Sequence, residues 1–165
     1  MMQHRSEADK RTVMTLLTSI LIVDDDAGIR NMLSAVLNDE GYSVESAENG
    51  KQAIKICAKT PFDVALIDIQ LPDIKGTELL SRIKRIQPKT IRIIITGHPT
   101  LETAMKSVNE RADGYVQKPF EVTELLEKIS RLFTDRTDEY LRISTETTRA
   151  KEDSPYVKYR NPDKW

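Results

Sequence analysis

The chain has 165 residues, with 25 Lys and Arg against 26 Asp and Glu, for a formal net charge of −1. That balance supplies no general attraction for nucleic acid or an anionic membrane, and the length suits one ordinary domain with residues to spare. The single cysteine, Cys57, excludes an intramolecular disulfide and fits a reducing, cytoplasmic setting. Residues 1–18 read as a flexible leader, with Met14 as an alternative start. Lys10 and Arg11 precede "TVMTLLTSILIV" in the manner of a signal peptide. Thr12, Thr15, Thr18 and Ser19 interrupt that stretch, however, and three aspartates follow it instead of a small-residue cleavage site. No run reaches the roughly 20 apolar residues that a membrane span needs.

From there the pattern alternates between two periods. Short β-rich runs cover Ser19–Asp24, Tyr42–Ala47, Phe62–Asp68, Ile91–Thr96 and Gly114–Gln117. Helical spacing links Ile29, Leu33, Val36 and Leu37 before Gly41, and Ala53, Ile54, Cys57 and Ala58 before Pro61. It also links Leu79, Leu80 and Ile83 before Pro88; Leu101, Ala104, Met105 and Val108; and Val122, Leu125, Leu126, Ile129, Leu132 and Phe133. Strands alternating with helices imply βαβ units and a parallel sheet. The runs "ILIV", "VALI" and "IRIII" are nearly unbroken, as strands covered on both faces should be. The expected fold is a doubly wound α/β domain over residues 19–133, with five parallel strands.

The first run ends in Asp24, Asp25 and Asp26, and the third ends in Asp68. Open α/β sheets bind ligands beyond the carboxyl ends of their strands, where strand order reverses. If these two strands are neighbours, Asp24, Asp25 and Asp68 converge. Each like-charge pair about 4 Å apart then costs on the order of 4 kcal/mol at an effective dielectric near 20, which demands a positive partner. Carboxylates with room for water suit Mg²⁺. Thr96 ends the fourth run and Lys118 follows the fifth, so acid, acid, hydroxyl and cation share one edge, a set suited to phosphoryl chemistry. One helix cap, with Asp26 as the candidate, explains only one of the three adjacent aspartates.

The segments "ILIVDDD", "ALIDIQLPDIKG", "IIITGH" and "DGYVQKPF" resemble the receiver domain of two-component response regulators, in order and spacing. The resemblance implies strand order 2-1-3-4-5 and a set of roles. Asp68 would accept the phosphoryl group. Asp25 would bind Mg²⁺ directly, Asp24 mainly through water, and Gln70 through its backbone carbonyl. Thr96 and Lys118 would contact phosphoryl oxygens, and Tyr115 would be the aromatic switch. Lys118–Pro119 would be a cis peptide. Gln70 and His98 stand where receivers tune dephosphorylation, and Gly97 leaves space beside the site. Receivers often carry Gly-Ala before the fifth strand, whereas this chain has Arg111-Ala112, so a glycine helix cap is missing there.

The expected function is that of a switch which takes a phosphoryl group from a sensor histidine kinase or phosphotransfer protein. It would signal to a downstream protein through residues 100–133 and would catalyse only its own aspartyl phosphorylation and dephosphorylation. A homodimer is left open, and direct binding of nucleic acid is not expected. Residues 134–165 form a C-terminal extension: Arg136, Tyr140 and Ile143 continue the helical spacing, and Tyr156, Val157, Tyr159 and Trp165 suggest an aromatic docking tail. About 30 residues are too few for a helix-turn-helix output domain. Two alternatives remain: a phosphatase of the haloacid-dehalogenase type, using Asp24 and Asp26 as its Asp-x-Asp, and a transcriptional regulator acting through the tail.

Overall fold

The computed structural model describes residues 18–97 and 112–152, with side chains to residue 144. The strands are β1 (Ser19–Val23), β2 (Ser43–Ala47), β3 (Val64–Asp68), β4 (Ile91–Thr96) and β5 (Gly114–Gln117). Among the described residues the helices are α1 (Ala27–Asp39), α2 (Gly50–Cys57), α3 (Gly76–Ile86) and α4 (Val122–Glu152). All strands run parallel, in the order β2-β1-β3-β4-β5, as the resemblance implies. The helical segment expected around Leu101–Val108, together with His98 and Arg111, lies outside the described residues, as do residues 153–165 and most of the leader. Thr18 is described; it is buried, and its carbonyl accepts the Ser43 N–H.

Strand periodicity sends alternate side chains to opposite faces. Leu21 and Val23 of β1, Ala65 and Ile67 of β3 and Ile94 of β4 form one buried cluster with Ala53 and Cys57 of α2 and Leu79, Leu80 and Ile83 of α3. The alternate residues Ile20, Ile22, Val64, Leu66, Ile93, Ile95 and Val116 are buried too, which accounts for the unbroken apolar runs. Asp26 caps α1, its Oδ1 accepting the amides of Gly28 at 2.7 Å and Ile29 at 3.2 Å. After α1, Gly41 takes φ 92°, the left-handed conformation that ends a helix most easily on glycine. α3 has no side-chain cap, an omission worth about 1 kcal/mol. Burying Leu79, Leu80 and Ile83 contributes about 1.5–3 kcal/mol each, so packing decides that this helix forms.

Two details depart from the sequence reading and a third agrees with it. β1 stops at Val23, β2 begins at Ser43 and β3 begins at Val64, so the ladders are shorter by one or two residues at an end. The last helix continues past Phe133 to Glu152, as the spacing of Arg136, Tyr140 and Ile143 suggests, and no glycine or proline interrupts the extension before Pro155. The run "IRIII" hides a charged residue: Arg92 is only 5 % exposed and pairs with Asp113 at 3.2 Å. By its contacts the chain divides into two units, residues 1–128 and 129–165, the second being in its described part the remainder of α4. Among the described residues no helix is long and apolar enough to cross a membrane.

Cys57 is a buried core residue, and burial, with a smaller push from Glu45, raises its thiol to about 11. At pH 8 about one native molecule in a thousand then carries the reactive thiolate, against about a quarter of unfolded chains at an ordinary thiol pKa near 8.5. Alkylation by iodoacetamide at pH 8 should therefore be about 100-fold or more slower in native protein than in guanidinium. Similar rates would show that Cys57 is accessible.

Candidate functional site

Strand order reverses between β1 and β3, so the residues after their carboxyl ends border the crevice between them. Asp24 follows β1 and Asp68 closes β3. Each carboxylate folds back onto the amide two residues on, in an Asx turn. Asp24 Oδ1 accepts the Asp26 N–H at 2.9 Å, and Asp68 Oδ1 accepts the Gln70 N–H at 2.9 Å. The second oxygen of each is thereby aimed inward. Lys118, one residue beyond β5, donates from Nζ to Asp24 Oδ2 at 2.9 Å and to Asp68 Oδ2 at 2.8 Å. Carboxylate oxygens of Asp24, Asp25 and Asp68 lie within 4.8 Å of one another; Asp25 is exposed and the other two are buried.

Burial pushes the Asp24 carboxyl above its usual range, with the Asp68 charge adding to the push; Lys118 and the Asp26 amide oppose it. Burial works against the Lys118 ammonium too, but its bonds to Asp68 and Asp24 outweigh that and raise its pKa. Three carboxylates against one ammonium leave a deficit of two charges, which one divalent cation cancels. The donor set is all oxygen, with one open and two enclosed carboxylates, and it fits Mg²⁺.

The remaining expected residues fall around this cluster. Thr96, at the end of β4, is fully buried, and its carbonyl accepts the Lys118 N–H at 2.7 Å. The Lys118–Pro119 bond is cis. Gln70 follows Asp68 by two residues and bridges to Lys75 across the base of the β3–α3 loop. A Cβ on Gly97 would meet only Lys118 Cβ, at 3.9 Å, so the backbone there is open. Tyr115 is half-buried against the core, and Lys128 Nζ stands 5.8 Å from its ring centroid.

Two contributors escaped the sequence reading. Arg30 donates from Nη1 to the carbonyls of Asp24 at 2.7 Å and Asp25 at 3.0 Å, which fixes the turn carrying both aspartates. Its position one turn into α1 is the only local signal. The other is Gly76, whose role is steric. A Cβ there would lie 2.6 Å from the Asp68 carbonyl oxygen and from Ile69 Cα, so only glycine lets α3 start against the end of β3.

A sequence model of the response regulator receiver domain matches residues 20–130. Sporulation initiation phosphotransferase F of Bacillus subtilis is 38 % identical over 112 residues, which cover 68 % of this chain and 90 % of that protein. An NtrX-like response regulator of Rickettsia bellii is 39 % identical over 117 residues, 70 % of this chain. The match covers only 24 % of the length of that relative, so this chain corresponds to about a quarter of it. Among solved structures, a CheY-like receiver domain protein from Methanospirillum hungatei superposes with TM-score 0.70 at 39 % identity, covering 74 % of this chain and 98 % of that one. Response regulator TrrA of Thermotoga maritima, solved in complex with Mg²⁺ and BeF, gives TM-score 0.64 at 34 % identity over 70 % of this chain and 99 % of that one.

Proposed function

Because the chain belongs to the response regulator receiver family of two-component signalling, we propose that Asp68 is its phosphoacceptor and that the donor is a phosphohistidine on a partner kinase or phosphotransfer protein. The observation that carries this reading is the bridge from Lys118 Nζ to both Asp24 and Asp68. It sets a cation directly against the Asp68 carboxylate, where phosphoryl oxygens would arrive on attack at phosphorus. An Asp68 oxygen forms a bond to phosphorus as the phosphorus–nitrogen bond breaks, and the departing imidazole takes up a proton from solvent. Lys118 then neutralises phosphoryl oxygens, and the Thr96 hydroxyl hydrogen-bonds the transferred group. Asp24, Asp25 and the Gln70 carbonyl would hold Mg²⁺, which when bound supplies charge neutralisation at the transferring phosphoryl.

Movement of Thr96 toward the new group opens space for the half-buried Tyr115 ring, which biases an equilibrium between two arrangements and so alters affinity for a downstream protein that reads residues 100–133. Gly97, His98 and Gln70 would set water access and hence the phosphoryl lifetime. The chain acts on no substrate beyond its own aspartyl phosphate. The phosphatase alternative needs Asp26 as a free acid, and Asp26 is engaged as the cap of α1.

The test is exposure of the full chain to acetyl phosphate and Mg²⁺. Wild type should gain one hydroxylamine-labile phosphoryl group and Asp68→Ala none. Labelling of Asp68→Ala at the wild-type rate would overturn the assignment.

A further inference from the structure

The loop joining β3 to α3 carries Gln70 and is anchored at both ends. At its base, Gln70 bridges to Lys75, the Gly76 N–H donates to the Ile69 carbonyl at 3.0 Å, and Gly76 packs on the backbone of Asp68. At its tip the anchor is a helix more than twenty residues earlier in the chain. Asp73 Oδ1 accepts the Gly50 N–H at 2.9 Å and Oδ2 accepts the Lys51 N–H at 2.8 Å, the first two amides of α2. Asp73 Oδ1 also accepts its neighbour's amide, Ile74 N–H, at 2.9 Å. The Ile74 side chain occupies the space where a Cβ on Gly50 would lie, so the loop tip sits directly on the helix start. Desolvation pushes the Asp73 carboxyl upward, but these amides outweigh it and hold the group below its usual range.

Helix α2 already has a local cap: Asn49 accepts the Gln52 N–H at 2.9 Å, and Gln52 reaches back to the Glu48 N–H at 2.8 Å. Asp73 takes the amides that this pair leaves unsatisfied, and in doing so it ties the loop to a rigid element. A loop restrained at tip and base has few orientations left for its peptide planes. One of those planes is the one that would present the Gln70 carbonyl to a cation.

We propose that Asp73 is a positioning residue for metal-dependent phosphoryl transfer: by clamping the loop tip to the N-terminus of α2, it holds the Gln70 carbonyl at the carboxylate cluster. This rests on the phosphoacceptor reading above, but its primary test needs no phosphodonor. Mg²⁺ affinity is measured by titration calorimetry on the full chain for wild type, Asp73→Ala and Asp73→Asn, alongside urea stability. Loss of the clamp should weaken Mg²⁺ binding about tenfold in Asp73→Ala. Asp73→Asn keeps the Oδ1 acceptor for Gly50 and Ile74 but loses the acceptor for Lys51, and it should fall between the two.

Coupling between sites is reciprocal, so Mg²⁺ should slow hydrogen exchange at the Gly50 and Lys51 amides in wild type and not in Asp73→Ala. If Asp73→Ala does not fold, Asp73→Asn carries both measurements. Wild-type Mg²⁺ affinity combined with reduced stability would reduce Asp73 to a helix cap and overturn the proposal. Loss of Asp68 labelling in wild type, with the Mg²⁺ effect intact, would instead refute the phosphoacceptor reading alone.

Discussion

Replacing Lys118 with methionine should slow phosphorylation of Asp68 by about 100- to 1,000-fold and at the same time tighten Mg²⁺ binding. The two effects have one origin. Lys118 Nζ lies 2.9 Å from Asp24 and 2.8 Å from Asp68, so before any cation arrives it supplies the positive charge that the cluster needs. At an effective dielectric near 20, unit charges about 4 Å apart interact by about 4 kcal/mol, so a divalent ion entering beside Lys118 meets repulsion of about twice that. Methionine matches the length of the lysine stem and removes the repulsion. It also removes a preoriented donor aimed at the group being transferred, and loss of one such donor costs about 100- to 1,000-fold in rate. The pH profile follows with its sign. Lys118 titrates above its ordinary value of 10.5, so its contribution is complete below that value and is lost only as pH rises through the higher folded one. Rates limited by this ammonium should stay level from pH 7 to about 10. The measurements are Mg²⁺ titration and single-turnover labelling by acetyl phosphate. Weakened Mg²⁺ binding in Lys118→Met would show that the lysine props the site up and does not compete for it.

The strands and the residues at their carboxyl ends were legible because they depend on periodicity and on where each apolar run stops. "ILIV" and "VALI" have the unbroken apolar character expected of covered strands, and residues that follow parallel strands share an edge whatever the helices do. Asp26 and Gly41 were legible as local stop and start signals. The neighbourhood of β1 and β3 came from the resemblance, and the structure confirms it through the register Ile20 to Val64 and Val23 to Ile67. Long-range partnerships were not legible. Asp73 reads as a turn residue beside Pro72, and nothing local links it to amides at Gly50 and Lys51. Arg30 reads as one more exposed helix charge. Gly76 signals a turn, while the crowding that demands glycine arises from the end of another strand. The continuation of α4 was open to reading, since "TDEYLRISTETTRAKE" contains no breaker. Arg136, Tyr140 and Ile143 carried its spacing that far, and the polar run beyond them offers no apolar face to read.

Arg92 is the clearest case of a residue whose cost is set by a distant partner, and Asp113→Ala should unfold the domain more readily by about 3 kcal/mol. The Arg92 side chain is 6 % exposed and that of Asp113 is 25 % exposed. Asp113 Oδ2 accepts the Arg92 amide at 2.8 Å and Nε at 3.2 Å, while Arg92 Nη1 is buried with no hydrogen-bond partner. The guanidinium is thus already under-satisfied, and removing the carboxylate leaves its charge buried without compensation, a change that costs about 3–5 kcal/mol in enclosed pairs. Water reaching Asp113 places this pair at the lower end of that range. For a domain of this size the melting temperature should fall by about 10 °C or more. Arg92→Leu removes the charge instead, and buried pairs replaced by apolar groups are often neutral or stabilising. In that background Asp113→Ala no longer strands a buried charge, and its bond to the Arg92 backbone amide is worth about 1 kcal/mol. A double-mutant cycle in urea should therefore return a coupling of about 2 kcal/mol. Additive losses would mean that Asp113 acts through the β4–β5 backbone alone. Lys118 hangs from the opposite end of β5, so Asp113→Ala should leave the Asp68 labelling rate unchanged well below its melting temperature. That separates the strand's stability from the chemistry at its carboxyl end.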